Sequence, residues 1–270
     1  MFYWIYDVPS FFAAGLFIAL FVGICWLGII FLRPFVERRL NQDGRLNEIL
    51  GDFLQYFGVI YGLLLGLLAV STYQNHSDTE RAVGNEASSL AALYQVVTAY
   101  PEPLRSDLER LIKEDTRYSI EVAWPVQRIG VVPVGGVQRA SAIYARLSSF
   151  EPQTKRQELI QEAALSQFNA FFQNRRTRLY GVTASIPSVM WLTVGVGAAI
   201  NIILIWLFRL RLKIHLLLGG LISFFTATMI CLIVLLDNPY RGELGVSPEA
   251  FRLIYKHLMY GVKRPSATSR

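Results

Sequence analysis

Apolar residues fall along this chain in two kinds of pattern. In four stretches they are nearly continuous: residues 11–32, 53–73, 186–208 and 216–236 run for 21 to 23 positions without an Asp, Glu, Lys or Arg. A helix crossing a bilayer core needs ~20 consecutive apolar residues, so each stretch predicts a membrane span. Elsewhere the apolar positions are periodic. Val83, Ala87, Leu90, Tyr94 and Val97 recur at alternating steps of four and three, which is one face of a helix. Neither Pro nor strand alternation intervenes between Tyr73 and Pro101. Span two is therefore predicted to continue out of the membrane as one helix to about Ala99, with Gly84 tolerated inside it at ~1 kcal/mol.

The same periodicity organises the rest of the region between spans two and three. Leu104, Leu108, Leu111 and Tyr118 predict a second helix to about Ala123. Residues 124–136 hold Pro125, Gly130, Pro133, Gly135 and Gly136 and read as a loop. Val137, Ala140, Tyr144 and Leu147 then give a short helix. Pro152 opens a longer one with Ala164, Phe168, Phe171 and Leu179 on one face, running through Gly181 into span three with a kink at Pro187. After span four, residues 237–242 have turn composition. Ser247 and Pro248 read as an N-cap and first-turn proline for a helix with Phe251, Ile254, Tyr255 and Leu258 on its apolar side, suited either to a membrane interface or to covering the insert. Residues 263–270 read as a frayed basic end.

The predicted fold is all-α: four transmembrane helices in two hairpins, with a helical extramembrane domain inserted between spans two and three. Its parts are a first transmembrane hairpin (1–73), the helical domain (74–185), a second hairpin (186–236), and a turn, amphipathic helix and basic tail (237–270). Outside the spans about a quarter of residues are charged, as in ordinary soluble domains, so two compositions share one chain. Cys25 and Cys231 both lie within apolar stretches, which argues against a disulfide framework and for small buried fillers. The N-terminal run has no basic leader and is followed by Arg33, Arg38 and Arg39, so it reads as a retained span.

The net charge of +6 bears on topology more than on nucleic acid. Arg33, Arg38, Arg39, Arg45, Arg209, Arg211 and Lys213 fill the two short connections, which the positive-inside rule assigns to the cytoplasm. Arg175, Arg176 and Arg178 before span three, and Arg241, Arg252 and Lys256 after span four, weigh against that assignment. The side on which 74–185 lies stays open.

Catalytic patterns are not found. His76, His215 and His257 share no metal-ligand spacing, and no G-x-S-x-G, G-x-G-x-x-G or Walker glycine loop occurs. The Gly-rich 131–136 run has no Lys-Ser or Lys-Thr after it. Glu114 and Asp115 read as part of a solvated helix face. No enzyme activity, metal or cofactor is expected. Two features stand out. Gly58, Gly62 and Gly66, extended by Ala69, put small residues at four-residue spacing on one face of span two, where another backbone can approach closely; Ile60, Leu64 and Leu67 on its other face are candidates for an apolar pore constriction. The second is a membrane-proximal polar cluster. At ~1.5 Å rise per residue, Glu86 stands ~20 Å beyond Tyr73, and Arg175 and Arg176 stand ~15–17 Å before Ile186. Glu86 with Arg175 or Arg176, together with Asn85, Asp237 and Arg241, reads either as ion pairs that fix helix register or as a charged vestibule.

The stretches Gly-Leu-Leu-Leu-Gly at 62–66, Asn85-Glu86-Ala87, Leu93-Tyr94, Leu236-Asp237-Asn238-Pro239-Tyr240-Arg241-Gly242 and Val246-Ser247-Pro248 make the chain resemble the bacterial bestrophin-like integral membrane proteins over roughly residues 10–255. The resemblance to bestrophins implies a homopentameric anion channel with four spans, a helical cytoplasmic domain after the second, a pore lined by that second span, and both termini in the cytoplasm. An acidic calcium-binding cluster of the animal bestrophins is not seen, and no neck residues align onto span two. The expected protein is multi-pass in the bacterial plasma membrane, with lipid, copies of itself and inorganic anions as partners and no nucleic acid. The absence of charge inside the spans fits a passive channel better than an active transporter; Asn201 is the main polar exception. A non-transporting scaffold or sensor, whose insert binds a partner, is the alternative.

Overall fold

A computed structural model describes residues 3–39 and 45–260. The basic end expected at 263–270 lies outside the described residues, as do positions 40–44 of the first connection. Among the described residues the regular structure is all helical. A short 3-10 turn at Tyr3–Asp7 precedes α1 (Ser10–Arg39), α2 (Leu46–Val97), α3 (Leu104–Tyr118), α4 (Trp124–Gln127), α5 (Gly135–Ser148), α6 (Lys155–Thr183), α7 (Ser188–Leu207), α8 (Leu212–Asp237) and α9 (Glu249–Ile254). Helices α1, α2, α7 and α8 are long and apolar enough to cross a membrane.

The chain divides into two compact units. One comprises residues 1–74, 185–237 and 242–244; the other comprises 75–184, 238–241 and 245–270.

In the first unit α1 packs most extensively against α8 and then against α7. Helix α2 contributes Tyr61, Leu65 and Leu68, spaced to share one face, to a cluster with Val194 and Ala198 of α7 and Ile230 and Ile233 of α8. Close approach is permitted where a side chain is missing. A Cβ on Gly197 would stand 2.3 Å from Tyr61 Cε2, and one on Gly28 would stand 2.0 Å from Trp206 Cε2. Both aromatic groups are tied down: Tyr61 OH donates to the Val194 carbonyl at 3.0 Å and Trp206 Nε1 to the Cys25 carbonyl at 3.1 Å. Small residues under interlocking side chains are how apolar helices associate where lipid removes the hydrophobic drive between them. Asn201 donates to Thr226 Oγ1 at 3.4 Å, an interhelical bond within the apolar layer.

The second unit has its own core. The stripe Val83, Ala87, Leu90, Tyr94 and Val97 is buried along its whole length, against Leu104, Leu108 and Ile112 of α3, Ala140, Ile143 and Leu147 of α5, and Phe168 and Phe171 of α6. Burial of each large side chain contributes ~1.5–3 kcal/mol. The C-terminal segment closes this core: Phe251 is fully buried, and Ile254, Tyr255 and Leu258 pack against it. Of the two placements open to that amphipathic segment, packing on the core of this helical unit is the one adopted.

Four sequence expectations are corrected. Residues 124–136 are not one loop: the helix of α3 passes through a π turn at Ser119–Ala123 into α4, and Gly135 already begins α5. Pro125 lies directly after the π turn, among the first residues of α4. The inner face of α5 is Ala140, Ile143 and Leu147, while Val137 and Tyr144 are exposed. Helix α6 does not run into span three; it stops at Thr183, Ala184 is extended, and α7 restarts at Ser188, since Pro187 disfavours helical geometry in the residue before it. Ser247 is not the cap of α9; Pro248 occupies the N-cap position without a side-chain bond.

Candidate functional site

Two places collect the residues singled out in the sequence. The first is a cluster inside the second unit. Helix α2 carries Glu86 on the same side as its buried stripe, and α6 carries Arg175 and Arg178, three apart and so on one face. Glu86 Oε1 accepts from Arg175 Nε at 2.9 Å, and its Oε2 accepts from Arg178 Nε. Arg175 then reaches α3: Nη1 donates to Asp115 Oδ1 at 3.0 Å and Nη2 to Oδ2 at 2.5 Å. Its remaining N–H groups go to the Gly136 carbonyl at 3.2 Å and Ser119 Oγ at 3.3 Å, so all five guanidinium donors are used. Arg178 Nη1 donates to Gln127 Oε1 of α4 at 2.6 Å, and its own carbonyl accepts from Tyr240 OH at 3.2 Å. The Arg178 guanidinium also lies 5.2 Å from the centroid of the Trp124 ring.

Glu86 and Asp115 are 0% exposed, Arg175 4% and Arg178 2%. Taking such ions from water costs several kcal/mol apiece unless they are paired and fully hydrogen-bonded. Two cations and two anions meet that condition. Burial alone would push the Glu86 carboxyl up, but the Arg178 and Arg175 guanidiniums outweigh it and hold it below the usual carboxylate range. Burial likewise disfavours the Arg175 cation, and the Asp115 and Glu86 carboxylates reverse that and raise its pKa. A buried, internally neutral cluster offers no surface to an ion; its chemistry is to join α2, α3, α4 and α6.

The other members of the expected polar cluster lie elsewhere. Arg176 is exposed and donates to Tyr180 OH at 3.3 Å, because one residue turns it about 100° away from Arg175. Asn85 is exposed, and its carbonyl accepts from Asn174 Nδ2 at 3.3 Å. Asp237 accepts from the Ile186 N–H at 2.6 Å in the first unit. Arg241 donates to the Ile129 carbonyl. Asp115 was read as solvated and is fully buried; Glu114 beside it is the exposed one, paired with Arg110 at 3.0 Å. The signal for Asp115 was present: it continues the Leu104, Leu108, Ile112 stripe at the next inward position. Arg178 could have been found by its three-residue spacing from Arg175.

The second place is the outward side of α2 within the first unit. Ile60 is 69% exposed and Leu67 61%, while Leu64 is half-buried against the Tyr61–Leu65 cluster. Gly58, Gly62 and Gly66 have nothing within 4 Å of an added Cβ. Among the described residues the glycine face, expected to carry a packed neighbour, meets none within 4 Å of an added Cβ; the tightest approaches of this unit are at Gly28 and Gly197. Among the described residues no group of His, Cys, Asp or Glu is placed to hold a metal.

Four apolar spans joined to a helical unit with its own core define a multi-span membrane protein. The chain matches the bestrophin-like domain over residues 19–251 and belongs to that family, so this is a membrane protein related to the bestrophins. No curated protein and no solved structure matches it.

Proposed function

We propose that the protein is a homo-oligomeric, passive anion channel of the bacterial plasma membrane, without enzymatic activity, in which α2 faces the symmetry axis. Its four spans form two hairpins, with residues 74–185 as an extramembrane insert between them. The observation that carries the reading is the unpartnered side of α2: exposed Tyr56, Ile60, Leu63 and Leu67 form an apolar stripe beside three glycines with open space around them. A lipid-facing helix accounts for apolar exposure alone. Glycines at four-residue spacing with open space suit a neighbouring backbone from another copy, and the apolar stripe then suits a constriction that gates by dewetting. The bestrophin plan supplies the anion and the pentamer.

The test is chloride flux from liposomes containing the purified protein, with native mass measured in the same detergent. Chloride efflux from a ring of identical subunits is the expected result. A monomer or dimer with no flux would leave the scaffold reading, in which the helical insert serves a partner and the spans only anchor it.

A further inference from the structure

One surface of the second unit is used by none of the above. Between Glu121 and Glu151 the chain contains no acidic residue, yet it contains Arg128, Arg139 and Arg146. The middle of that stretch is apolar and turned outward: Ile129 is 62% exposed, Val131 51%, Val134 73% and Val137 54%. Loops of soluble domains seldom present so many β-branched apolar side chains together, and contiguous apolar patches of this sort mark contact surfaces. The loop is held in shape. The Gly130 N–H donates to the Gln127 carbonyl at 2.9 Å and the Val131 N–H to the Val126 carbonyl at 3.3 Å. Gly130 takes a φ of +81°, which an L side chain would strain.

Its tether says what it meets. Arg241 donates to the Ile129 carbonyl, and Arg241 follows Asp237, the last residue of α8, by four positions. Four residues reach at most ~14 Å, so the covalent chain alone bounds the distance of Arg241 from the last residue of α8. We infer that residues 129–137 insert their valines and Ile129 into the membrane interface, with anionic lipid headgroups as the partner. An apolar tip flanked by arginines and free of carboxylates is the composition of an interfacial anchor: the apolar groups enter the headgroup–acyl boundary and the cations draw negative headgroups. Half-buried Arg139, which stacks on Tyr118 at 4.5 Å, supplies that charge; Arg146 pairs with Asp107 at 2.9 Å. The inference rests on membrane residence and not on ion conduction.

The test places an environment-sensitive fluorophore at Val134→Cys in the full chain. Cys25 and Cys231 are buried, and the wild-type protein treated identically is the blank. Lys155→Cys, at the far end of α6 and exposed, is the water-facing control. In nanodiscs of phosphatidylcholine with phosphatidylglycerol, the Val134→Cys label should emit to the blue of the Lys155→Cys label and lose intensity when lipids spin-labelled near the headgroup are included. Removing phosphatidylglycerol should weaken that quenching, and adding Arg241→Gln should weaken it further. A label at 134 that stays water-like and open to iodide overturns the inference. So does a blue-shifted label that ignores spin-labelled lipid but shows energy transfer between labelled copies, which would make the loop a subunit contact.

Discussion

Arg176 and Arg178 stand two positions apart on α6 and meet opposite environments. The first is exposed; the second is 2% exposed and shares Glu86 with Arg175. Glu86→Gln removes a charge that two buried guanidiniums depend on, and stranding a buried ion costs ~3–5 kcal/mol. Thermal unfolding of the detergent-solubilised protein should fall accordingly, whereas Arg176→Gln should stay within ~0.5 kcal/mol of wild type, as surface changes do. The Glu86–Asp115–Arg175–Arg178 cluster shares partners, so Glu86→Gln combined with Arg178→Gln should cost less than the separate losses added together. Glu86 also sets a pH dependence. Its folded-state carboxyl is held below the usual value, so the folded chain binds fewer protons than the unfolded one. The stabilisation is therefore complete above the ordinary carboxylate pKa of ~4.3 and is lost as pH falls through the depressed value. An acid titration of the unfolding midpoint should show a steeper limb in wild type than in Glu86→Gln; matching limbs would mean the carboxylate contributes nothing.

Helix α2 is one element with two jobs, and its surface divides accordingly. Tyr61, Leu65 and Leu68 are buried within the first unit, while Gly58 and Gly62 are open. Gly197→Leu must drive a side chain into the Tyr61 ring, which is fixed by its hydrogen bond to Val194. Overpacking of this kind costs ~1–3 kcal/mol or more, and the yield of folded protein and its melting temperature should both drop. At Gly62 an added Cβ meets no described atom within 4 Å. Gly62→Leu should leave the melting temperature of the isolated subunit unchanged and reduce the oligomer seen by native mass, more than Leu63→Ala does. Unchanged assembly with Gly62→Leu would assign that face to lipid. This division also shows what the pattern of the chain could and could not convey. Long apolar runs announce spans because bilayer thickness leaves little choice of length, and the 83–97 stripe announced its helix because burial follows the 3.6-residue period. Which glycines meet a neighbour was illegible: Gly197 packs because Tyr61 happens to lie opposite, a fact of tertiary placement that no local spacing encodes. Asp115 was missed for a different reason, since its place on the inward period of α3 was legible. A carboxylate among charged neighbours reads as solvated until its helix is known to turn it toward Arg175.

At the scale of the molecule, residues 11–32, 53–73, 186–208 and 216–236 carry no Asp, Glu, Lys or Arg, while the second unit buries four ionised groups as one neutral set. In a passive channel the barrier then lies in the apolar stripe of α2, not in a titrating residue. An apolar constriction hinders ions because water is poorly held between side chains that cannot hydrogen-bond. Leu67, 61% exposed and clear of the Tyr61–Leu65 cluster, can be altered without disturbing the packing of the subunit. Leu67→Ser should wet such a constriction and raise chloride efflux from liposomes severalfold, with native mass and melting temperature unchanged. Leu65→Ser is the contrast. It places a hydroxyl in the buried α2–α7–α8 cluster, so it should lower the melting temperature and raise efflux no further than its effect on assembly allows. If α2 faces lipid, Leu67→Ser leaves efflux where it was. If the protein is a scaffold, neither wild type nor variant passes chloride, and the apolar stripe of α2 serves as an anchor alone.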